Sequence, residues 1–273
     1  MYSFFFIPST KVHKLRDLRN LGISEFVIDF EDAIKASERE NLVNTLSKDN
    51  DLLDCYLRLP VYDESETVVS IKFLIPFLEA GFKKFVIPKL NSRDDLDILI
   101  SQTNSYNISI VILIETPRLY LELLSGVSNY KSCIEGIALG SHDFMSVVGG
   151  THTLNNLEIL RQNILYMARA IDSIAIDIAS MELNNLENFG IELIDGFNKG
   201  FDAKFLIHPK QFKVFNEHQF YTEAEYLRAL KIVSYLKEVN GINEEFNPIV
   251  VDGQIIERPH IERALKIVST YKK

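Results

Sequence analysis

Cysteine is scarce in this chain of 273 residues, where Cys55 and Cys133 are the only two. Two residues make no disulfide framework, and neither stands in a Cys-x-x-Cys spacing that would point to zinc or redox chemistry. A reduced, cytoplasmic compartment is therefore expected. Long apolar runs are missing as well. No stretch approaches the roughly 20 residues of a membrane span, so no membrane association is expected. The apolar start, Met1 to Ile7, is short, lacks a basic leader and stops at Pro8, so it reads as a first strand and not as a signal peptide. Basic charge is in deficit, with 29 Lys and Arg against 38 Asp and Glu and a net charge of −9. That balance excludes a general nucleic-acid binder, because phosphate binding needs a basic face. No repeat, low-complexity segment or linker divides the chain.

What remains is the composition of an ordinary globular protein, 47% hydrophobic and 25% charged. Eight short apolar runs rich in β-branched and aromatic residues recur at residues 4–7, 26–29, 56–59, 84–88, 110–114, 136–139, 173–176 and 204–207. Near-continuous apolar strands suit a parallel sheet covered on both faces, and eight is the number at which such strands close into a barrel. Between them, residues 11–21, 65–80, 93–103, 120–125, 156–170 and 183–199 carry apolar residues at helical spacing. Gly22, Gly81 and Gly200 stand just past three of these segments, where a left-handed residue closes a helix. The expected fold is α/β, a (β/α)8 TIM barrel over residues 1–220 with a C-terminal helical extension over 221–273. The extension reads as a helix over 223–239, a loop over 241–248, a strand pair over 249–256 around Asp252-Gly253, and a last helix over 259–271. It is expected to pack on the barrel or on a neighbouring subunit.

Active sites of such barrels lie at the C-terminal ends of the strands, so the polar residues that end each apolar run are informative. They are Ser9-Thr10, Asp29 to Asp32, Arg58, Lys89, Glu115-Thr116, Ser141-His142-Asp143, Asp177 and His208 to Gln211. Acids converging on one mouth repel each other unless a cation neutralises them, and oxygen ligands select a hard ion such as Mg²⁺. Glu115 and Asp143, on adjacent strand ends, are the expected metal ligands; the competing reading is a helix cap or an ion pair. Arg58 is suited to bidentate binding of a substrate carboxylate, or to a rim ion pair with the Asp29 to Asp32 acids. Glu31 and Asp32 could accept from metal-bound water, or cap a helix in the case of Asp32. Lys89, Ser141 and His142 are the remaining candidates for substrate contact. Covalent catalysis by Lys89 is not expected in so acidic a setting, and His208 reads as structural.

In order along the chain, Phe6-Ile7-Pro8, Asp29-Phe30-Glu31-Asp32-Ala33, Arg58, Ile87-Pro88-Lys89, Leu113-Ile114-Glu115-Thr116, Gly140-Ser141-His142-Asp143, Ile207 to Gln211 and Val250-Val251-Asp252-Gly253 resemble the motifs of the citrate lyase β-subunit-like group of the HpcH/HpaI aldolase superfamily. The resemblance runs nearly end to end. It implies a Mg²⁺-dependent carbon–carbon lyase or aldolase acting on a 2-oxo or 3-hydroxy acid, often as an acyl-CoA thioester, through a metal-stabilised enolate. It gives Glu115 and Asp143 the metal, Arg58 the substrate carboxylate, and Glu257 a catalytic place in a neighbouring subunit's site. It also implies a homo-oligomer, a trimer or hexamer. Departures from the pattern are Ser9 and Thr10 for a Gly-Asn pair, Lys11 and Lys14 for arginines, His142 for an acid, Glu257 for an aspartate, and no glycine after Asp177. The departures at Glu257 and His142 leave a second expectation open, a non-catalytic metal-dependent subunit that binds a 2-oxo acid.

Overall fold

The runs of β-branched and aromatic residues form eight parallel strands: β1 (Tyr2–Pro8), β2 (Glu25–Asp29), β3 (Tyr56–Arg58), β4 (Lys84–Ile87), β5 (Ser109–Ile114), β6 (Ile134–Leu139), β7 (Ile174–Asp177) and β8 (Ala203–Leu206). Each pairs with the next and β8 pairs with β1, so the sheet closes into a barrel. The computed structural model describes residues 1–32, 34–63, 67–238 and 248–271. They fall into two compact units, Met1–Asn216 and Glu217–Lys273.

Because successive strand side chains alternate between faces, each strand supplies two buried layers. Phe4, Val27, Tyr56, Val86, Val111, Leu113, Ala138, Ile176, Ala203 and Phe205, drawn from all eight strands, fill the interior. Their neighbours, such as Phe5, Ile28, Leu57, Phe85, Ile112, Ile137 and Leu206, are also buried, beneath the helices. The helices up to Glu217 are α1 (Leu15–Asn20), α2 (Ala36–Leu46), α3 (Ile75–Glu79), α4 (Arg93–Thr103), α5 (Pro117–Gly126), α6 (Ser141–Val148), α7 (Leu154–Ala170), α8 (Leu186–Lys199) and α9 (Pro209–Glu217). Gly22, Gly81 and Gly200 take φ of 94°, 94° and 105°, as the helix-closing role requires.

Three helices were not legible in the apolar pattern. In α2 only Val43 is buried, so there is no apolar stripe to read, while α6 and α9 span eight and nine residues. The helix expected over 65–80 shrinks to α3. Upstream of it, Tyr62 and Val69 form an antiparallel bridge, and Asp63 Oδ1 accepts from the amides of Thr67 and Val68; residues 64–66 lie outside the described ones.

Asp177 is the other correction, because it does not face the barrel mouth. Ile176 points into the interior, so Asp177 faces the helices, and Lys204, its register partner between Ala203 and Phe205, does the same. Arg161 of α7 grips Asp177 with two hydrogen bonds of 2.9 Å. Lys204 Nζ donates to Asp177 Oδ2 at 3.3 Å and to the Ile178 carbonyl at 3.0 Å. The side chains of Arg161, Asp177 and Lys204 are all fully buried. Asp195 of α8 takes a further Arg161 hydrogen bond at 2.5 Å.

The second unit contains α10 (Glu223–Glu238), the hairpin of β9 (Ile249–Val251) and β10 (Gln254–Ile256), and α11 (Arg258–Thr270). Ala229, Ile232, Val251, Ile256, Ile261, Ala264 and Ile267 form its core. Asp252 and Gly253 take φ of 50° and 75°, the pair of left-handed residues that a tight hairpin turn requires. The loop expected over 241–248 lies outside the described residues up to 247.

Candidate active site

At the C-terminal ends of β2 and β3 the acids and bases bind each other first. Arg58 donates to both oxygens of Asp29 through Nε and Nη2, at 2.8 and 2.7 Å; Nη2 also lies 3.4 Å from Asp32, and Nη1 lies 3.4 Å from Glu31. The guanidinium also sits 5.0 Å above the ring of Phe6, which is itself packed edge-on against Phe205. Arg58 is thus clamped in plane and position by a bidentate pair with Asp29, the rim ion pair that stood as the alternative to binding a substrate carboxylate. Lys89 Nζ pairs with Glu31 and, at 2.8 Å, with Asp32. Burial raises the pKa of Glu31 despite the Arg58 and Lys89 charges. Burial works in the same sense on Asp32, but the Lys89 hydrogen bond and the Arg58 charge outweigh it and hold that carboxyl below the usual range.

Glu115, one residue beyond β5, is 3% exposed. Its Oε2 accepts the Lys89 amide at 2.5 Å, an amide turned toward it by the left-handed backbone of Lys89, φ 56°. Burial, then the charges of Glu31 and Asp143, push the Glu115 pKa up to about 8, against that amide hydrogen bond. Asp143 follows in the first turn of α6 and is solvent-exposed. Among the described residues neither Glu115 nor Asp143 forms an ion pair. The turn between β6 and α6 is made by Gly140, where a Cβ would lie 2.2 Å from Glu115 Cγ and 2.6 Å from its Oε1. Only glycine leaves this carboxylate its place.

A cavity of about 310 Å³ opens here. Asp29, Asp32, Arg58, Glu115, Ser141, His142 and Asp143 line one side, and Phe6, Leu113, Leu139, Met181, Phe205 and Ile207 supply an apolar wall. The site therefore joins Arg58, Glu115, Ser141, His142, Asp143 and Asp32 at one cavity, with Glu31 and Lys89 in its ion-pair network.

Five carboxylates, Asp29, Glu31, Asp32, Glu115 and Asp143, meet two cations, Arg58 and Lys89. That surplus, and a glutamate whose pKa is pushed up to about 8 by burial and neighbouring acids, suit the binding of a cation. No group of three or more His, Cys, Asp or Glu side chains able to hold a metal occurs among the described residues. Two carboxylates suffice for a hard ion that keeps water or substrate oxygens as its other ligands, so Glu115 and Asp143 fit Mg²⁺.

Two outcomes follow from this geometry. Gly140→Ala should weaken Mg²⁺ binding by about 10- to 100-fold, the scale of losing a ligand's support, with far-UV circular dichroism unchanged; titration calorimetry reads it. Glu115 also gives the metal-free protein a pH signature. Its folded pKa of about 8 lies above the ordinary 4.5, so its contribution to stability is complete below 4.5 and is lost as pH rises through 8. The melting temperature without metal should fall between pH 5 and 8, and Glu115→Gln should flatten that fall.

Sequence reasoning missed three features. An ion pair of Arg58 with the Asp29 to Asp32 acids was among the expectations, but not that Asp29 is its anchor. His152 donates to or accepts from Ser141 Oγ through Nε2 at 2.9 Å and stacks on His142, centroids 3.8 Å apart at 4°; a histidine in a polar loop carried no signal. His142 Nε2 is buried without a hydrogen-bond partner among the described residues. Two further candidates have local roles. His208 Nδ1 accepts the Lys210 amide at the start of α9. Glu257 belongs to the second unit, where it caps α11 and its amide donates to His260 Nδ1 at 3.0 Å.

The family model for HpcH/HpaI aldolase/citrate lyase matches residues 2–209. Citrate lyase subunit beta of Leuconostoc mesenteroides subsp. cremoris is 25% identical over 283 residues, covering 96% of this chain and 90% of that protein. A (3S)-malyl-CoA thioesterase of Cereibacter sphaeroides is 24% identical over 266 residues, covering 96% and 91%. Among solved structures, CitE of Mycobacterium tuberculosis in complex with magnesium, acetoacetate and coenzyme A is similar with a TM-score of 0.76 and 18% identity, covering 98% of both chains.

Proposed function

The chain belongs to the HpcH/HpaI aldolase/citrate lyase family, and from that premise we propose that it is a carbon–carbon lyase that holds Mg²⁺ on Glu115 and Asp143 and acts on a 2-oxo or 3-hydroxy acid, free or as an acyl-CoA thioester. One observation carries the reading: a buried glutamate and an exposed aspartate on adjacent strand ends, neither ion-paired among the described residues, beside a guanidinium locked in place. Bound there, the ion supplies Lewis-acid stabilisation of negative charge developing on substrate oxygen.

The chain's own residues do the rest. Arg58, its Nε and Nη2 held by Asp29 and its plane stacked over Phe6, meets a substrate carboxylate through Nη1 without having to reorganise. Glu31 and Asp32 keep Lys89 protonated at the rim, where it favours an anionic substrate. Phe6, Phe205 and Ile207 present apolar surface that excludes water from one side of the reacting carbons and strengthens the electrostatics on the other. Glu257 is kept in the proposal as the acid contributed from a neighbouring copy.

Thermal unfolding tests the site. With Mg²⁺ present, pyruvate or oxaloacetate at 100 times its dissociation constant should add about 2.7 kcal/mol to folding stability, and removal of the metal by EDTA should cancel the gain. Absence of any metal-dependent shift with either acid sinks the proposal. A shift without turnover would identify a binding subunit in place of an enzyme.

A further inference from the structure

We propose that Ser141 and His152 form a nucleophile–base pair that gives the same cavity a second activity, hydrolysis of an acyl thioester through an acyl-Ser141 intermediate. Ser141 Oγ lies 2.9 Å from His152 Nε2, the distance of a nucleophile bonded to its base. Ser141 lines the same cavity as Glu115 and Asp143, so it stands beside any acyl group held there. Ser141 is also the first residue of α6, directly after β6 and Gly140. A strand–turn–helix junction of this kind presents a serine at the top of a sheet, with first-turn amides that have no acceptor inside the helix. Those amides are aligned to receive a carbonyl oxygen as it gains negative charge.

In a triad a third group fixes the plane and tautomer of the base. Here the plane is fixed by His142, stacked at 3.8 Å and 4°. Burial, with the neighbouring His142 charge, lowers the pKa of His152, which keeps its ring neutral and able to accept a proton. Nothing in the Arg58, Glu115 and Asp143 arrangement needs a histidine at position 152, so the pair is unexplained by the lyase chemistry.

The step balances without redox change. Ser141 Oγ adds to the acyl carbon while its proton passes to His152 Nε2. The carbon–sulfur bond breaks and the departing thiolate takes that proton. A water then adds to the acyl carbon, giving its proton to Nε2; the ester bond to Oγ breaks and Oγ is reprotonated. Thioester and water have become carboxylic acid and thiol. The choice of a thioester as acyl donor rests on the function proposed above, whereas the nucleophile does not.

The test is a fluorophosphonate probe on the full-length protein, followed by intact mass and peptide mapping, with and without EDTA. One adduct per chain on the peptide carrying Ser141, formed equally in EDTA, is expected. Ser141→Ala should form none, and His152→Gln, which keeps a hydrogen-bonding group but cannot take the proton, should react about 100-fold more slowly or worse at an unchanged melting temperature. Release of free thiol from 3-hydroxybutyryl-CoA should fall in parallel in both variants. No adduct on the unaltered protein, an adduct elsewhere, or labelling of His152→Gln at the original rate overturns the proposal. An adduct on Ser141 without any metal-dependent stabilisation by 2-oxo acids would instead leave this pair standing and remove the lyase reading.

Discussion

Replacing Glu115 with alanine is expected to cut Mg²⁺-dependent exchange of the methyl protons of pyruvate by about 100- to 1,000-fold, the scale of losing one preorganised electrostatic contact in a closed site. The reason lies in how little else could substitute. Asp29, Glu31 and Asp32 are already committed to Arg58 and Lys89, and Asp143 alone is an exposed carboxylate at a helix start. Proton NMR in D₂O reads the exchange directly. Glu115→Gln separates charge from shape: it should lose exchange almost as fully, yet be more stable than the parent above pH 8 without metal, because a buried carboxylate that resists ionisation has been replaced by a neutral amide. Exchange at the parental rate in either variant would remove Glu115 from the site.

The largest loss of stability is expected from Asp177→Ala, at about 3–5 kcal/mol. The substitution leaves the fully buried Arg161 and Lys204 without their shared counter-charge; Arg161 keeps Asp195, whose side chain is 31% exposed, and Lys204 keeps the Ile178 carbonyl. Gly196→Ala should be costly by another route, since its Cβ would lie 2.3 Å from Asp177 Oδ2. Urea titration of the two variants measures both effects. The network is held by opposition of charges and not by burial as such, so replacing Arg161, Asp177 and Lys204 together by apolar residues of similar volume should recover much of the loss. A cost below 1 kcal/mol for Asp177→Ala would mean that water or another carboxylate reaches the two cations.

The barrel itself was legible because its strands are buried on both faces, which leaves uninterrupted runs such as Ile110 to Ile114 that no exposed strand would carry. Helices with a broad apolar stripe, such as α7 and α8, were equally legible, whereas α2 was not, for Val43 is its only buried residue. The Asp29 to Asp32 acids and Arg58 were recognisable as a charged cluster at strand ends. Which acid holds the arginine was not, since Asp29 wins by register: it lies directly opposite Arg58 across the β2–β3 pair.

Sequence alone determined the eightfold strand count, the glycines that close helices, and which side chains end each strand, because all of these depend on residue type and on spacing within a few positions. Only the tertiary structure decided which way those side chains face and what they meet. Asp177 ends a strand just as Asp29 does, yet the alternation of β7 turns it toward Arg161 and away from the mouth. His152 reaches Ser141 across eleven positions because the chain after α6 turns back on the first residue of that helix, a contact set by the path of the backbone and by no local pattern.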